Sequence, residues 1–105
     1  KERGILLTTG SDSFNSQMTP YGETTVGELH AFVECAGISE MDTIVAATLN
    51  GAKVLRVDDI TGSLEAGKSA DLLVVNGNPL KDIRELTVDT MDVIMKEGDF
   101  IRKDL

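Results

Sequence analysis

The chain has 105 residues, 41% of them hydrophobic, with 18 acidic against 10 basic side chains and a formal charge of −8. That balance argues against the basic patches that hold nucleic acid and against binding to anionic membrane surfaces. One cysteine (Cys35) and one histidine (His30) exclude a disulfide framework and a self-contained Cys/His zinc site, and no apolar run approaches the ~20 residues of a membrane span.

The chain opens Lys1-Glu2-Arg3 without a methionine, which reads as an interruption of something longer. Gly4 to Thr9 is predicted to be a strand, because three consecutive aliphatics without alternation suit a strand buried on both faces of a parallel sheet. Gly10-Ser11-Asp12-Ser13 breaks it, and a polar loop runs to Gly22. Loops of that length are often functional. Thr25 with Glu28 forms a capping box for a first helix, whose inner face is Leu29, Phe32, Val33 and Ala36 and whose stop is Gly37. Ser39 with Asp42 starts a second helix with a stripe of Ile44, Ala47, Thr48, Gly51 and Leu55. Its small residues predict a close approach.

After Arg56 the composition changes. Asp58-Asp59 and Thr61-Gly62-Ser63 are turn chemistry. Leu64 to Lys68 is a short extended piece, and Leu72 to Val75 is a buried strand. Leu80, Ile83 and Leu86 face inward from a helical turn, and Met91 to Lys96 pairs with Phe100 to Lys103 in a hairpin. Four or so short strands are expected, with a boundary that divides residues 1–56 from residues 57–105.

Few side chains suggest chemistry. On the Gly-Ser-Asp turn alone, Asp12 reads either as a turn residue or as a carboxylate able to take a proton or hold a cation. His30 sits off the apolar stripe and is expected to be solvated; Cys35 is expected to be a small buried apolar group. Gly62 to Ser69 spells G-x-x-x-x-G-K-S, but a strand rather than a helix follows, so a phosphate-binding loop is not expected.

Gly62-Ser63-Leu64-Glu65-Ala66-Gly67-Lys68-Ser69-Ala70-Asp71-Leu72-Leu73-Val74-Val75, then Gly77-Asn78-Pro79-Leu80, resembles a stretch shared across the amidohydrolase superfamily. Met95 to Gly98 resembles its terminal hairpin. Leu7 to Ser13 resembles its eighth barrel strand, and Glu28 to Gly37 and then Ala46 to Ala52 the two helices that follow. The likeness is greatest to the imidazolonepropionase-like and dipeptidase-like branch.

The resemblance implies an α/β fragment. It would comprise the last strand and helices of a TIM-type (β/α)8 barrel, then part of a small composite β-sandwich. It implies a parent that hydrolyses C–N bonds in small-molecule or dipeptide-like substrates with a divalent metal, zinc. Asp12 matches the family's metal ligand and proton shuttle. The other ligands have no counterpart here, so the chain alone is expected to be inactive and to bind no metal. Relatives carry Pro-His-Gly where this chain has Pro20-Tyr21-Gly22, which puts specificity in doubt and leaves Tyr21 a candidate substrate contact. The missing sandwich strands imply open edges, satisfied by homo-oligomerisation or strand exchange. An acidic interaction module and one half of a split hydrolase are the alternatives, and a cytoplasmic site is expected.

Overall fold

The computed structural model describes residues 4–12 and 22–104. Helix α1 spans Glu23–Glu34, α2 Glu40–Ala47 and α3 Leu49–Val54. Strands β1 (Leu72–Val75), β2 (Met91–Lys96) and β3 (Asp99–Lys103) form one antiparallel sheet in the order β1-β2-β3. A single 3-10 turn, Ile83–Glu85, lies between β1 and β2.

The helix starts divide the predictions. Ser39 caps α2 as predicted, its Oγ accepting from the Asp42 N–H at 3.2 Å. The capping box at Thr25 and Glu28 does not form. α1 begins three residues earlier, behind Gly22 in the left-handed region (φ 85°), with no side-chain cap. Gly37 takes φ 68° just past the helix end, as its position predicted. The second predicted helix is two. Thr48 donates from Oγ1 to the Ile44 carbonyl at 2.7 Å and departs from helical geometry, so the ladder breaks there. The turn of chain also moves the inner face. Thr43, Ala46 and Ala52 are buried, while Leu55 is exposed.

A close approach does occur beside these helices, tightest at Ala52 rather than at the small residues of the predicted stripe. A Cβ on Gly62 would stand 2.7 Å from the Ala52 Cβ, and Gly62 has φ 98°. Glycine is required there on both counts.

Leu29 from α1 packs with Ile83 and Leu86 to form the core, flanked by Val33, Ile44, Ala47, Val75 and Met91. One apolar cluster thus joins the helices to the sheet. Leu80, predicted inward with Ile83 and Leu86, is half exposed instead. The β2–β3 hairpin turns through Glu97 (φ 52°) and Gly98 (φ 85°), the paired left-handed residues of a tight two-residue loop.

Three other expectations fail. Leu72 to Val75 is a strand but not a buried one, with Leu73 and Val74 48% and 43% exposed. Leu64 to Lys68 is turn rather than strand, so the described residues hold three strands, not four. Gly4 to Thr9 joins no ladder. Ile5, Leu6 and Leu7 are 61%, 47% and 39% exposed. A strand of the parallel type needs neighbours on both sides, and no described strand lies alongside to supply them.

Candidate functional site

Residues 7–12 form an arm that the helices hold by backbone contacts. The Asn50 amide donates from Nδ2 to the Leu7 carbonyl at 2.8 Å, and the Thr9 N–H reaches the Ala46 carbonyl at 3.4 Å. The Gly10 N–H donates to Glu28 Oε1 at 2.8 Å. All three helices therefore contribute one tether each. Thr8 lies against α3, its Oγ1 3.4 Å from where a Gly51 Cβ would stand.

At the end of this arm Asp12 is exposed and takes φ 50°. A non-glycine residue in the left-handed region is uncommon, and aspartate tolerates it better than most. Its carboxylate can accept a proton or ligate a cation. Tyr21, the candidate substrate contact, lies outside the described residues.

His30 is not a solvated helix residue. It is half-buried, and its Nε2 meets the Leu86 carbonyl at 2.7 Å, linking α1 to the segment before β2. Cys35, predicted buried, is exposed at the end of α1. Among the described residues no group of three His, Cys, Asp or Glu side chains could hold a metal ion.

The G-x-x-x-x-G-K-S segment is a closed polar turn. Lys68 Nζ sits 2.8 Å from Glu65 Oε2 and donates to Ser63 Oγ at 2.7 Å. The Lys68 hydrogen bond, then the Ser63 hydroxyl, hold the Glu65 carboxyl below its ordinary range. Ser69 leads into β1 and not into a helix, so no helix N-terminus faces a phosphate.

Asp71 has a role that sequence reasoning missed. Its carboxylate accepts from the Glu97 N–H at 2.7 Å, Thr61 Oγ1 at 2.8 Å and Ser69 Oγ at 3.2 Å. The Glu97 amide first, and the Thr61 hydroxyl next, hold its carboxyl below the usual range. It ties the Thr61 loop to the hairpin turn. Glu28 and Asn50 were missed as well. Glu28 was visible only as half of a capping box, and nothing local marked Asn50 as an anchor.

The profile of the Amidohydrolase family matches residues 1–101. An imidazolonepropionase of Picrophilus torridus is 36% identical over 63 residues, 60% of this chain and 16% of its own. Adenine deaminase 4 of Rhizobium meliloti is 43% identical over 68 residues, 64% of this chain and 11% of its own. A solved Xaa-Pro dipeptidase with bound methionine in its active site superposes with a TM-score of 0.81 at 36% identity, over 96% of this chain and 23% of that one. This chain therefore spans less than a quarter of each.

Proposed function

The chain belongs to the amidohydrolase family, and from that premise we propose that it is the C-terminal part of a metal-dependent hydrolase of C–N bonds. Asp12 is the residue proposed for the chemistry. Residues 1–56 are assigned to the end of the barrel and residues 57–105 to the sandwich. The substrates proposed are small amides of the dipeptide or cyclic-amide kind, in keeping with relatives named dipeptidase and imidazolonepropionase. Tyr21 is carried forward as a substrate contact.

The observation that supports this reading is the arm. It ends in an exposed carboxylate on a backbone tethered to three helices. Active sites of α/β barrels lie at the carboxyl ends of their strands, which is where the family resemblance puts Asp12. In the reaction, water adds to the carbonyl carbon of the scissile C–N bond. Asp12 takes the proton released as the C–O bond forms and gives it to the leaving nitrogen as the C–N bond breaks.

Zinc is the metal the family resemblance implies. The described residues do not fit a complete metal site. Asp12 is a single donor, and the Nε2 of His30 is already engaged with the Leu86 carbonyl. Asp12 is the one ligand proposed from this chain.

The test is Asp12→Asn in the complete hydrolase, assayed on N-acyl amino acids and dipeptides. The expected fall in kcat is ~10²–10⁴-fold, with circular dichroism unchanged. An Asp12→Asn enzyme at the parent rate would sink the proposal. So would robust hydrolysis by the 105-residue chain alone, or about one metal per isolated chain by elemental analysis.

The outer strands β1 and β3 each keep an unpaired edge among the described residues, and Phe100 and Ile101 on β3 are exposed. Pairing of these edges between copies, by oligomerisation or strand exchange, is part of the proposal. A clean monomer by light scattering at high concentration counts against it.

A further inference from the structure

We infer that Glu28 is a positioning residue for Asp12, an inference that rests on the reading of Asp12 above. Of the arm's three named tethers, the Glu28 contact is the nearest to Asp12. Oε1 accepts from the Gly10 N–H at 2.8 Å, two residues before the carboxylate. The other oxygen, Oε2, is buried and has no hydrogen-bond partner.

A carboxylate oxygen withdrawn from water without a partner is costly, and such groups call for an explanation. Helix capping does not supply one. The helix starts at Glu23 behind Gly22, so Glu28 lies in its interior. What Glu28 does there is hold Gly10. From Gly10 the chain turns through Ser11 to Asp12, whose backbone takes a left-handed φ of 50°. A free Gly10 would let that turn sample other conformations, because glycine is the least restrained residue. Misplacing a reacting group by about 1 Å can cost ~10²-fold in rate.

The experiment uses nuclear magnetic resonance on the chain and on its Glu28→Ala and Glu28→Gln variants. Two signatures are read, the exchange rate of the Gly10 amide and the strong intraresidue amide-to-Hα contact that a positive φ gives Asp12. Glu28→Ala is expected to speed Gly10 exchange at least ~10-fold, since the hydrogen bond that protects it is gone, and to weaken the Asp12 signature. Glu28→Gln keeps an acceptor oxygen and should restore both. In the complete hydrolase Glu28→Ala should lower kcat by about 10–100-fold while KM stays within about threefold.

An Asp12 signature unchanged in Glu28→Ala overturns the inference, and so does a Glu28→Gln variant that behaves like Glu28→Ala. Rapid Gly10 exchange in the parent chain overturns it without any variant, should Glu28→Ala fail to fold. Failure of the Asp12 reading looks different. Asp12→Asn then turns over at the parent rate, and the resonance signatures still respond to Glu28.

Discussion

The sheet and the arm are both apolar, extended-type sequence, yet they end in different states. Leu72–Val75 finds β2, and β2 finds β3, all within about thirty residues of chain. Its ladders close locally, and Asp71 and the Ala70 carbonyl fasten the hairpin turn to the start of β1. Among the described residues Ile5 to Leu7 has no such partner and stays exposed; Asn50 holds the Leu7 carbonyl, and the Ala46 carbonyl and Glu28 hold Thr9 and Gly10 just beyond it. The same residue type is a strand where a neighbour exists and a tethered arm where none does. Backbone hydrogen bonding, not propensity, decides between them.

The difference can be broken at the core. Ile83 is 1% exposed and clusters with Leu29 of α1 and Leu86, with Val75 of β1 and Met91 of β2 packed against that cluster. Ile83→Ala should cost about 2–5 kcal/mol, read from urea unfolding. Helical circular dichroism and hairpin amide protection should be lost in one transition. Two separate transitions would mean that the sheet is independent of the helices, and the comparison would then be between two modules.

Next in size is the contact behind the small-residue face. Gly62→Ala puts a methyl against the Ala52 Cβ and forces a side chain into φ 98°. The cost expected is about 1–3 kcal/mol, with the loss of protection greatest around α3 and the Thr61 loop. A neutral Gly62→Ala would show that the loop stands off the helix.

Smaller is the link through His30. His30→Ala removes the 2.7 Å contact with the Leu86 carbonyl, and the loss expected is about 1–2 kcal/mol. The change should be felt between α1 and the segment before β2, with Gly10 protection unaltered. A His30→Ala chain as stable as its parent would mean that water replaces the imidazole there.

What could be read from sequence follows the same division. The hairpin was legible because Glu97-Gly98 sits between two apolar strands and the turn chemistry is local. The Ser39 cap was legible for the same reason. Leu55 was misplaced because the predicted stripe assumed an unbroken helix, and the Thr48 back-bond to Ile44 shifts everything after it. Glu28 was assigned to the wrong partner, because its hydrogen bond spans 18 residues and no local pattern encodes that distance. For Asp12 the Gly-Ser-Asp turn leaves a turn residue and a proton-taking carboxylate both open, and the role proposed for it rests on the family resemblance. Local sequence places His30 in solvent because its partner, the Leu86 carbonyl, lies 56 residues away.

The smallest expected effect concerns Asp71, and it separates the two regions by pH. Its carboxylate is held below the usual range by the Glu97 N–H and the Thr61 hydroxyl. A folded value lower than the unfolded one, ordinarily about 3.9, means that the unfolded chain binds the proton more readily. The stability Asp71 contributes is therefore fully present above that ordinary value and is lost as pH falls through the lower folded one. Asp71→Asn removes the contribution at neutral pH and with it this part of the acid sensitivity. Melting temperatures from pH 7 down to pH 2.5 should fall less steeply for Asp71→Asn than for the parent below about pH 4. Glu65 and Asp82, also held low by Lys68 and Arg84, keep the variant from becoming flat. Amide exchange should place the change at Glu97 and Gly98, where the Asp71 carboxylate and the Ala70 carbonyl hold the hairpin turn. Gly10, tethered by α1 instead, should not respond. Parallel acid profiles for parent and variant, or a response at Gly10 equal to that at Glu97, would mean that the arm and the sheet share one network after all.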